Sequence, residues 1–366
     1  MENFEDYELL KIYCGEIPDF IKKFAAAEEM QRLKYVGMNC GCEYTEVHKE
    51  TICHMDTLNK GKAVDSTPRK SVTERCVNRL IQRFHRYTRF EHSVGVALII
   101  WNFTRDVRQS IAGLFHDIST PAFAHVVDYM NGDHMTQEST EASTADFIDS
   151  SQEIQQLLKE YGLSTPDVSD YHIYPIADNE TPQLSADRLE YTFGNFLQYG
   201  VTDVAHIEMF YHNLIVGINE HGEQELMFAD KNIAEEFAFY SMKCSHIYVS
   251  DKDRFTMQYL ADLLKLAADN DVVSVEDLYT SEENVIEKLE QSEVTSAKWL
   301  EYCGIRCVKI SSAPISDGYC TRVNAKRRYI DPYVKNIGRV TEFSEQYRSA
   351  VDDFLSISFD CWMSIG

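Results

Sequence analysis

Residues 113 to 130, GLFHDISTPAFAHVVDYM, set His116, Asp117, His125 and Asp128 in a run otherwise written for packing. Polar side chains are costly to bury unpaired, so the stretch raises the question of what they serve. A further histidine, His92, stands in RFEHSVGVALII ahead of two apolar helical turns, and Asp187 opens SADRLEYTF after a long polar connection. His92, His116, Asp117 and Asp187 together offer two imidazoles and two carboxylates. That donor set suits one borderline divalent ion such as Mn, Fe, Co, Ni or Zn, with Mg also possible, and water at the remaining positions. Adjacent residues on a helix point about 100° apart. His116 and Asp117 can therefore serve one ion only near a helix end, and Pro121 forbids a long regular continuation.

Taken singly, these residues have a plainer reading. A histidine on a buried helix is usually hydrogen-bonded and nothing more, and an isolated His-Asp pair carries little information. Spacing alone favours unrelated polar residues over a metal site. The density of ionisable neighbours shifts that balance. Arg89 lies three before His92, on the same face if the helix reaches back that far; His125 and Asp128 share a face; His134 follows in the polar turn NGDH. So many ionisable groups beside an apolar framework are expensive unless they serve each other or a ligand.

The elements that must position these groups are mostly helical. Apolar residues recur at helical spacing in 17–36, in SVTERCVNRLIQRF, FEHSVGVALIIWNFT and RDVRQSIAGLFHDI, in TQESTEASTADFIDS running into SQEIQQLLKEYG, and in LSADRLEYTFGNFLQYG. Residues 45–72 are polar and read as a loop or insertion, and STPDVSDYHIYPIADNETPQ reads as a long connection. After Gly200 the character changes. NLIVGINEHGEQELMFA reads as two strands around a turn at Gly222, and KNIAEEFAFYSM, RFTMQYLADLLKLAADND and SVEDLYTSEENVIEKLEQ as helices. CVKISSAPI and RRYIDPYV read as short strands or loops. The fold class expected is mainly α: a helical core over 1–200 holding the metal-binding residues, and a smaller mixed α/β part over 201–366 packed on it.

Composition bounds the function. The 366 residues carry 35 basic and 59 acidic side chains, a formal net charge of −24. That field opposes nucleic-acid backbones and anionic membranes over most of the surface, while a metal and a few local cations can still reverse the sign inside a cleft. The longest apolar run, VGVALIIW, is far short of the roughly 20 residues a bilayer requires. MENFEDYELL has no basic region followed by an apolar core, so no secretory signal is expected, and ten scattered cysteines suit a reducing cytoplasm. Cys40, Cys42, Cys53 and His54 can be written as a zinc site, but their spacing fits no standard pattern and plain thiols are the default. Lys326, Arg327, Arg328, Lys335 and Arg339 form a basic segment against the acidic average. It reads as a local anion site or ordinary surface, since nothing supports a nucleic-acid patch.

The chain resembles the HD-domain metal-dependent phosphohydrolases, and within them the deoxynucleoside triphosphate triphosphohydrolases. The resemblance rests on RLKYVG, HRYTRFEHSVGVALI, AGLFHDISTPAFAHVVD, SADRLEYTFGN, GINEHGE and RRYIDPYV with GRVTE; the ordered set R-F-E-H-S-x-G, G-L-x-H-D and D-R-L-x-Y is its specific part. It implies an HD-type helical core and a nucleotide substrate, a deoxynucleoside triphosphate cleaved to deoxynucleoside and tripolyphosphate. It also implies a homo-oligomer, a dimer or larger. By the same resemblance His92, His116, Asp117 and Asp187 match the metal ligands, and Arg89 and Arg188 match contacts to phosphate. His125 matches a histidine facing the phosphates, Asp128 its carboxylate partner, His134 the catalytic histidine and Tyr191 a tyrosine near the sugar. The sequence departs from the family at Thr120, where a histidine often stands, and at Met135, where glutamate often follows the catalytic histidine. Alternatives within the superfamily are a nucleotide monophosphatase, a phosphodiesterase, or a nucleotide-binding regulator with little turnover. A structural protein with core histidines is the remaining class.

Overall fold

The computed structural model of the chain describes residues 7–48, 87–132, 134–135 and 143–366. Most of the polar insertion expected at 45–72, the helix expected at 71–84, and Cys53 and His54 lie outside the described residues. The described part is mainly helical, with a smaller mixed α/β region toward the C-terminus.

The element that organises the helical part is the one the sequence writes as apolar all round. Helix α1 (Glu8–Tyr13) packs on α2 (Arg89–Thr104), which buries Phe90, His92, Val94, Val96, Leu98, Ile99 and Ile100 on every side. A helix with no polar stripe is stable only at the centre of a core. Its start is fixed by a capping box: the Thr88 side chain accepts from Phe90 N, and the Glu91 carboxylate accepts from Thr88 N at 2.9 Å. At its end Arg105 turns left-handed at φ 56°, and Asp106 at once caps the next helix, α3 (Val107–Phe115), accepting from the amides of Arg108 and Gln109. The two helices approach closely because residue 113 has no side chain: a Cβ there would lie 2.3 Å from Ile100 Cδ1.

Beyond α3 the short helix α4 (Val126–Asn131) packs on the long α7 (Asp251–Asp269). Between them in the chain come α5 (Ala186–Gln198), capped by Ser185, and α6 (Lys231–Tyr248), capped by Asp230. Helix α8 (Glu345–Ser356) lies on α6. The hairpin expected after Gly200 is present as β1 (Leu214–Ile218) and β2 (Gln224–Phe228), antiparallel with Val216 opposite Leu226. A second sheet is built from β3 (Val308–Ser311), β4 (Cys320–Thr321) and β7 (Trp362–Ile365), in the order β3-β7-β4. The hairpin continues into β5 (Tyr333–Val334) and β6 (Gly338–Arg339), giving the order β1-β2-β5-β6.

Two expectations change in detail. SVEDLYTSEENVIEKLEQ forms two helices, Val275–Leu278 and Glu282–Gln291, because Ser274 and Ser281 each cap a new start. The long connection before Ser185 contains the single turns Thr165–Val168 and Tyr171–Ile173, again opened by local caps. Among the described residues no helix is long and apolar enough to cross a membrane.

Candidate metal centre

Three helices deliver the polar cluster. His92 stands on the first turn of α2, His116 is the C-cap of α3 with Asp117 beyond it, and Asp187 lies in the first turn of α5. Nε2 of His92 lies 3.1 Å from Nε2 of His116 and 3.1 Å from Oδ1 of Asp187. Oδ2 of Asp117 is 3.7 Å from the first of these nitrogens and 3.4 Å from the second, and Asp187 Oδ1 is 3.7 Å from His116 Nε2. His92, His116 and Asp117 are buried and present ligand atoms within 4.8 Å of one another.

The hydrogen bonds on the far side of each ring fix what faces the cluster. His116 Nδ1 lies 2.7 Å from the Gly113 carbonyl oxygen, a pure acceptor, so Nδ1 carries the hydrogen. His92 Nδ1 lies 2.7 Å from Oε2 of Glu190, a carboxylate that also accepts from Tyr87 OH at 2.7 Å and Tyr13 OH at 3.4 Å. His92 Nδ1 is therefore a donor as well. Two nitrogen lone pairs and two carboxylate oxygens thus converge, and only a cation among them makes the arrangement favourable. That cation is a proton or a metal. Burial works against a proton on His92, but Asp187 and Glu190 outweigh it and push its pKa up to about 10. Asp187 and Asp117 are held well below the usual carboxylate range: burial raises both, but the cations His92 and Arg89 respectively prevail. Without a metal the cluster holds a proton on His92; the donor types and their convergence fit a divalent metal ion that would displace it.

Both oxygens of Asp117 are held, the inward-facing Oδ2 included. Arg89 donates from Nη1 to Asp117 Oδ2 at 2.8 Å, and Thr120 donates its hydroxyl to Asp117 Oδ1 at 2.7 Å. Thr120, where the resemblance leads one to look for a histidine, orients an acid of the cluster. His125 follows a strained turn in which buried Phe123 and Ala124 both have positive φ, 62° and 45°. Its Nδ1 lies 2.8 Å from Oδ2 of the fully buried Asp128, and burial outweighs that carboxylate to hold the His125 pKa below its usual value. His134 stacks on Tyr129, ring centroids 4.5 Å apart. Beside Met135 a cavity of about 350 Å³ opens, lined by Arg322, Asn324, Arg327 and Phe359.

Arg188 points elsewhere. Its guanidinium is bonded to Asn179, to the Gln183 carbonyl at 2.8 Å and to Asp178 at 3.1 Å, so it braces the connection that leads into α5. Tyr191 packs edge-on against Tyr248, and the charge of Arg328 acts on both Tyr191 and His125. Arg327 bonds the Ile357 carbonyl and covers the Phe359 ring, and Arg339 is held by Glu220 and Glu225. Of the basic segment, Arg328 lies near enough to His125 and Tyr191 for its charge to act on both. Of the residues in the zinc alternative, Cys40 and Cys42 are described: buried thiols whose pKa values burial raises, that of Cys40 to about 11.

Sequence reasoning missed Glu190 and, away from the cluster, the acid pair Glu43 and Glu282. Glu190 stands three residues after Asp187, on the same helical face, but its meaning appears only once His92 is seen beside it. The buried pair Glu43 and Glu282 meets around Gly37, where Glu282 accepts from Gly37 N at 2.9 Å and from Tyr44 OH at 2.8 Å. A Cβ at Gly37 would lie 2.5 Å from Glu43 Oε1, which gives the glycine of RLKYVG its reason. Burial, and Glu282 beside it, push the Glu43 pKa up to about 8.

Comparison with known proteins adds two relatives. An uncharacterized protein, YdhJ, of Bacillus subtilis is 31% identical over 261 residues, 70% of this chain and 76% of that protein. A metal-dependent phosphohydrolase, cns2, of Cordyceps militaris is 28% identical over 115 residues, which is 31% of this chain and 33% of the relative. No family model matches the chain.

Proposed function

We propose, since the chain belongs to the same family as the Bacillus subtilis protein YdhJ, that this family member is a metal-dependent phosphohydrolase. The Cordyceps relative bears that name. The observation that carries the reading is the meeting of His92 Nε2, His116 Nε2, Asp117 Oδ2 and Asp187 Oδ1, with both imidazoles already committed as donors on their far sides. Within that class the chain reads as an HD-domain enzyme of the deoxynucleoside triphosphate triphosphohydrolase type, supported by the ordered motifs around His92, His116 and Asp187.

In this reading His92, His116, Asp117 and Asp187 hold one divalent ion, which when bound lowers the pKa of a coordinated water and polarises a phosphoryl oxygen. Arg89 spends one donor on Asp117 and offers the rest of its planar fork to phosphate oxygens. His125, kept neutral by burial and giving Nδ1–H to Asp128, presents Nε2 as an acceptor that orients the attacking water. His134 donates a proton to the leaving oxygen. Arg188 acts through the 178–183 connection, and the nearby cation that answers the phosphates is Arg328. Tyr191 lies along the sugar. The protein works as a cytoplasmic homo-oligomer; light scattering that returned the monomer mass of 42.2 kDa with and without nucleotide would contradict that part.

One observation favours a second reading. With Arg188 turned into its own loop, Arg89 and Arg328 face few phosphates, which suits a nucleoside monophosphate or a phosphodiester of the same chemistry. Product identity separates the two. Protein loaded with Mn is offered deoxynucleoside triphosphates, ribonucleoside triphosphates, monophosphates and simple phosphodiesters. Deoxynucleoside with tripolyphosphate is the expected result. Orthophosphate from a monophosphate keeps the phosphohydrolase and replaces the substrate. A metal-loaded protein that turns over none of these esters overturns the reading.

A further inference from the structure

We infer that Glu190 is the positioning residue of the metal centre: its carboxylate holds His92 in the tautomer that aims Nε2 at the ion, and its charge sets the site for a divalent cation. This rests on the metal reading proposed above and deepens it.

The two histidines of the cluster are oriented by different means. His116 uses the carbonyl oxygen of Gly113, one turn back on its own helix, so no other side chain is needed. His92 depends on another helix altogether. Glu190 reaches across from α5, and its Oε2 sits 2.7 Å from His92 Nδ1. The carboxylate is fully buried, where an unpaired charge would be severely penalised. Two tyrosine hydroxyls, Tyr87 at 2.7 Å and Tyr13 at 3.4 Å, join the imidazole as donors, so the acid is fixed from three sides and has little freedom to turn. The sequence also clears its path: a Cβ at Gly95, one turn after His92, would stand 2.7 Å from the Glu190 carboxyl. One helix, α5, therefore brings both Asp187 to the ion and Glu190 to the far side of a histidine.

Charge gives the second half of the inference. Asp117, Asp187 and Glu190 bring three carboxyl groups to the two rings and Arg89 one guanidinium, an excess of acidic groups that suits a cation. An anionic acceptor on Nδ1 also raises the basicity of Nε2, as outer carboxylates do for metal-bound histidines. Glu190 serves both purposes from the far side of His92, where its partners are that ring and the hydroxyls of Tyr87 and Tyr13.

The test is divalent-ion affinity of the full-length chain, measured by competition calorimetry with Mn and with Zn, for wild type and Glu190→Gln. The substitution keeps volume and a hydrogen-bond acceptor but removes the charge. The expected result is about 10- to 100-fold weaker binding with an unchanged far-ultraviolet circular dichroism spectrum. In the Zn-loaded protein, the nitrogen-15 resonance of His92 Nδ1 should move while that of His116 Nδ1 stays in place, a difference that a merely structural role for Glu190 would not produce. Equal affinity in the two proteins, or an unmoved His92 resonance, overturns the inference while leaving the metal reading standing. A wild type that binds neither ion overturns the metal reading itself. If Glu190→Gln does not fold, Gly95→Ala displaces the same carboxyl without deleting it; weaker binding there supports the inference, and wild-type affinity overturns it.

Discussion

Two charged clusters in this protein both join cations to acids and differ in what they leave over. In the mixed region Arg339 lies between two acids. It bonds both oxygens of Glu220, at 2.9 and 3.0 Å, and both oxygens of Glu225, at 2.6 and 2.7 Å, and adds the Asp331 carbonyl. Glu225 in turn accepts from Leu184 N and Asn219 Nδ2. Every donor meets an acceptor, and the knot ties β2, β6 and the connection before α5 together. In the helical region the outer ring nitrogens are satisfied just as carefully, but two ring nitrogens and two carboxylate oxygens face each other. Arg89 on one oxygen and a single proton between His92 and Asp187 are the cations that hold them. A closed network of ion pairs specifies a fold. A network whose leftover groups all have one sign specifies a ligand of the other sign. GINEHGE and GRVTE, which stand among the quoted family strings, belong to the first kind; RFEHS, GLFHD and DRLEY belong to the second.

That contrast can be broken from either side. The largest effect expected is on chemistry: His134→Ala should lower turnover of the cleaved ester by about 10² to 10⁴ if the residue moves the proton, while metal content, read by elemental analysis, stays at the wild-type level. Loss of metal in this variant would place His134 among the ligands. Next comes the closed knot. Arg339→Ala leaves Glu225 buried and unpaired and should cost about 3–5 kcal/mol in urea unfolding, with metal content per folded chain unchanged. A stability loss under about 1 kcal/mol would show that the knot behaves like a surface pair.

The third expectation concerns pH. His92 has its pKa raised from about 6.5 in the unfolded chain to about 10 in the fold. The folded state then binds the extra proton between these values, so its contribution is fully present below about pH 6.5 and is lost as pH rises toward about 10. Metal-free protein should melt at progressively lower temperature over that window. Metal-loaded protein should not show this loss, because the ion takes the place of the proton. Identical pH profiles with and without metal would contradict the assignment. The smallest effect is expected from Thr120→Val, which removes the hydroxyl bonded to Asp117 Oδ1. A weakening of metal binding by about tenfold, equivalent to about 1.4 kcal/mol, is expected in a titration; unchanged affinity would show that Arg89 alone orients Asp117.

The parts of the site that the sequence made legible are those set by local rules. His92 is readable because apolar helical turns follow it, and His116 with Asp117 because an apolar helix must end before Pro121; the capping box of Thr88 and Glu91 came only with the structure. Asp187 is readable because Ser185 caps a new helix two residues earlier. What stayed hidden depends on contacts between distant residues. Glu190 meets His92 across 98 positions, and Glu282 meets Gly37 across 245. Arg188 looked like a phosphate contact because it follows a ligand candidate, but the loop carbonyls before it capture its guanidinium first. In the fold, the hairpin β1–β2 could be read from alternation and Gly222. The pairing of β2 with β5, and the docking of β7 between β3 and β4, could not, since strands this short carry almost no pattern of their own.

Everything proposed for the site requires that the four converging atoms hold a metal. Elemental analysis of wild type, Asp187→Ala and Arg339→Ala, purified without chelator and checked for helical content, addresses that directly. One equivalent of a divalent transition metal in wild type and in the folded fraction of Arg339→Ala, with none in a folded Asp187→Ala, is the expected result. Wild-type metal content retained in Asp187→Ala, or no metal in wild type even after incubation with Mn, Fe, Co, Ni or Zn, would contradict it.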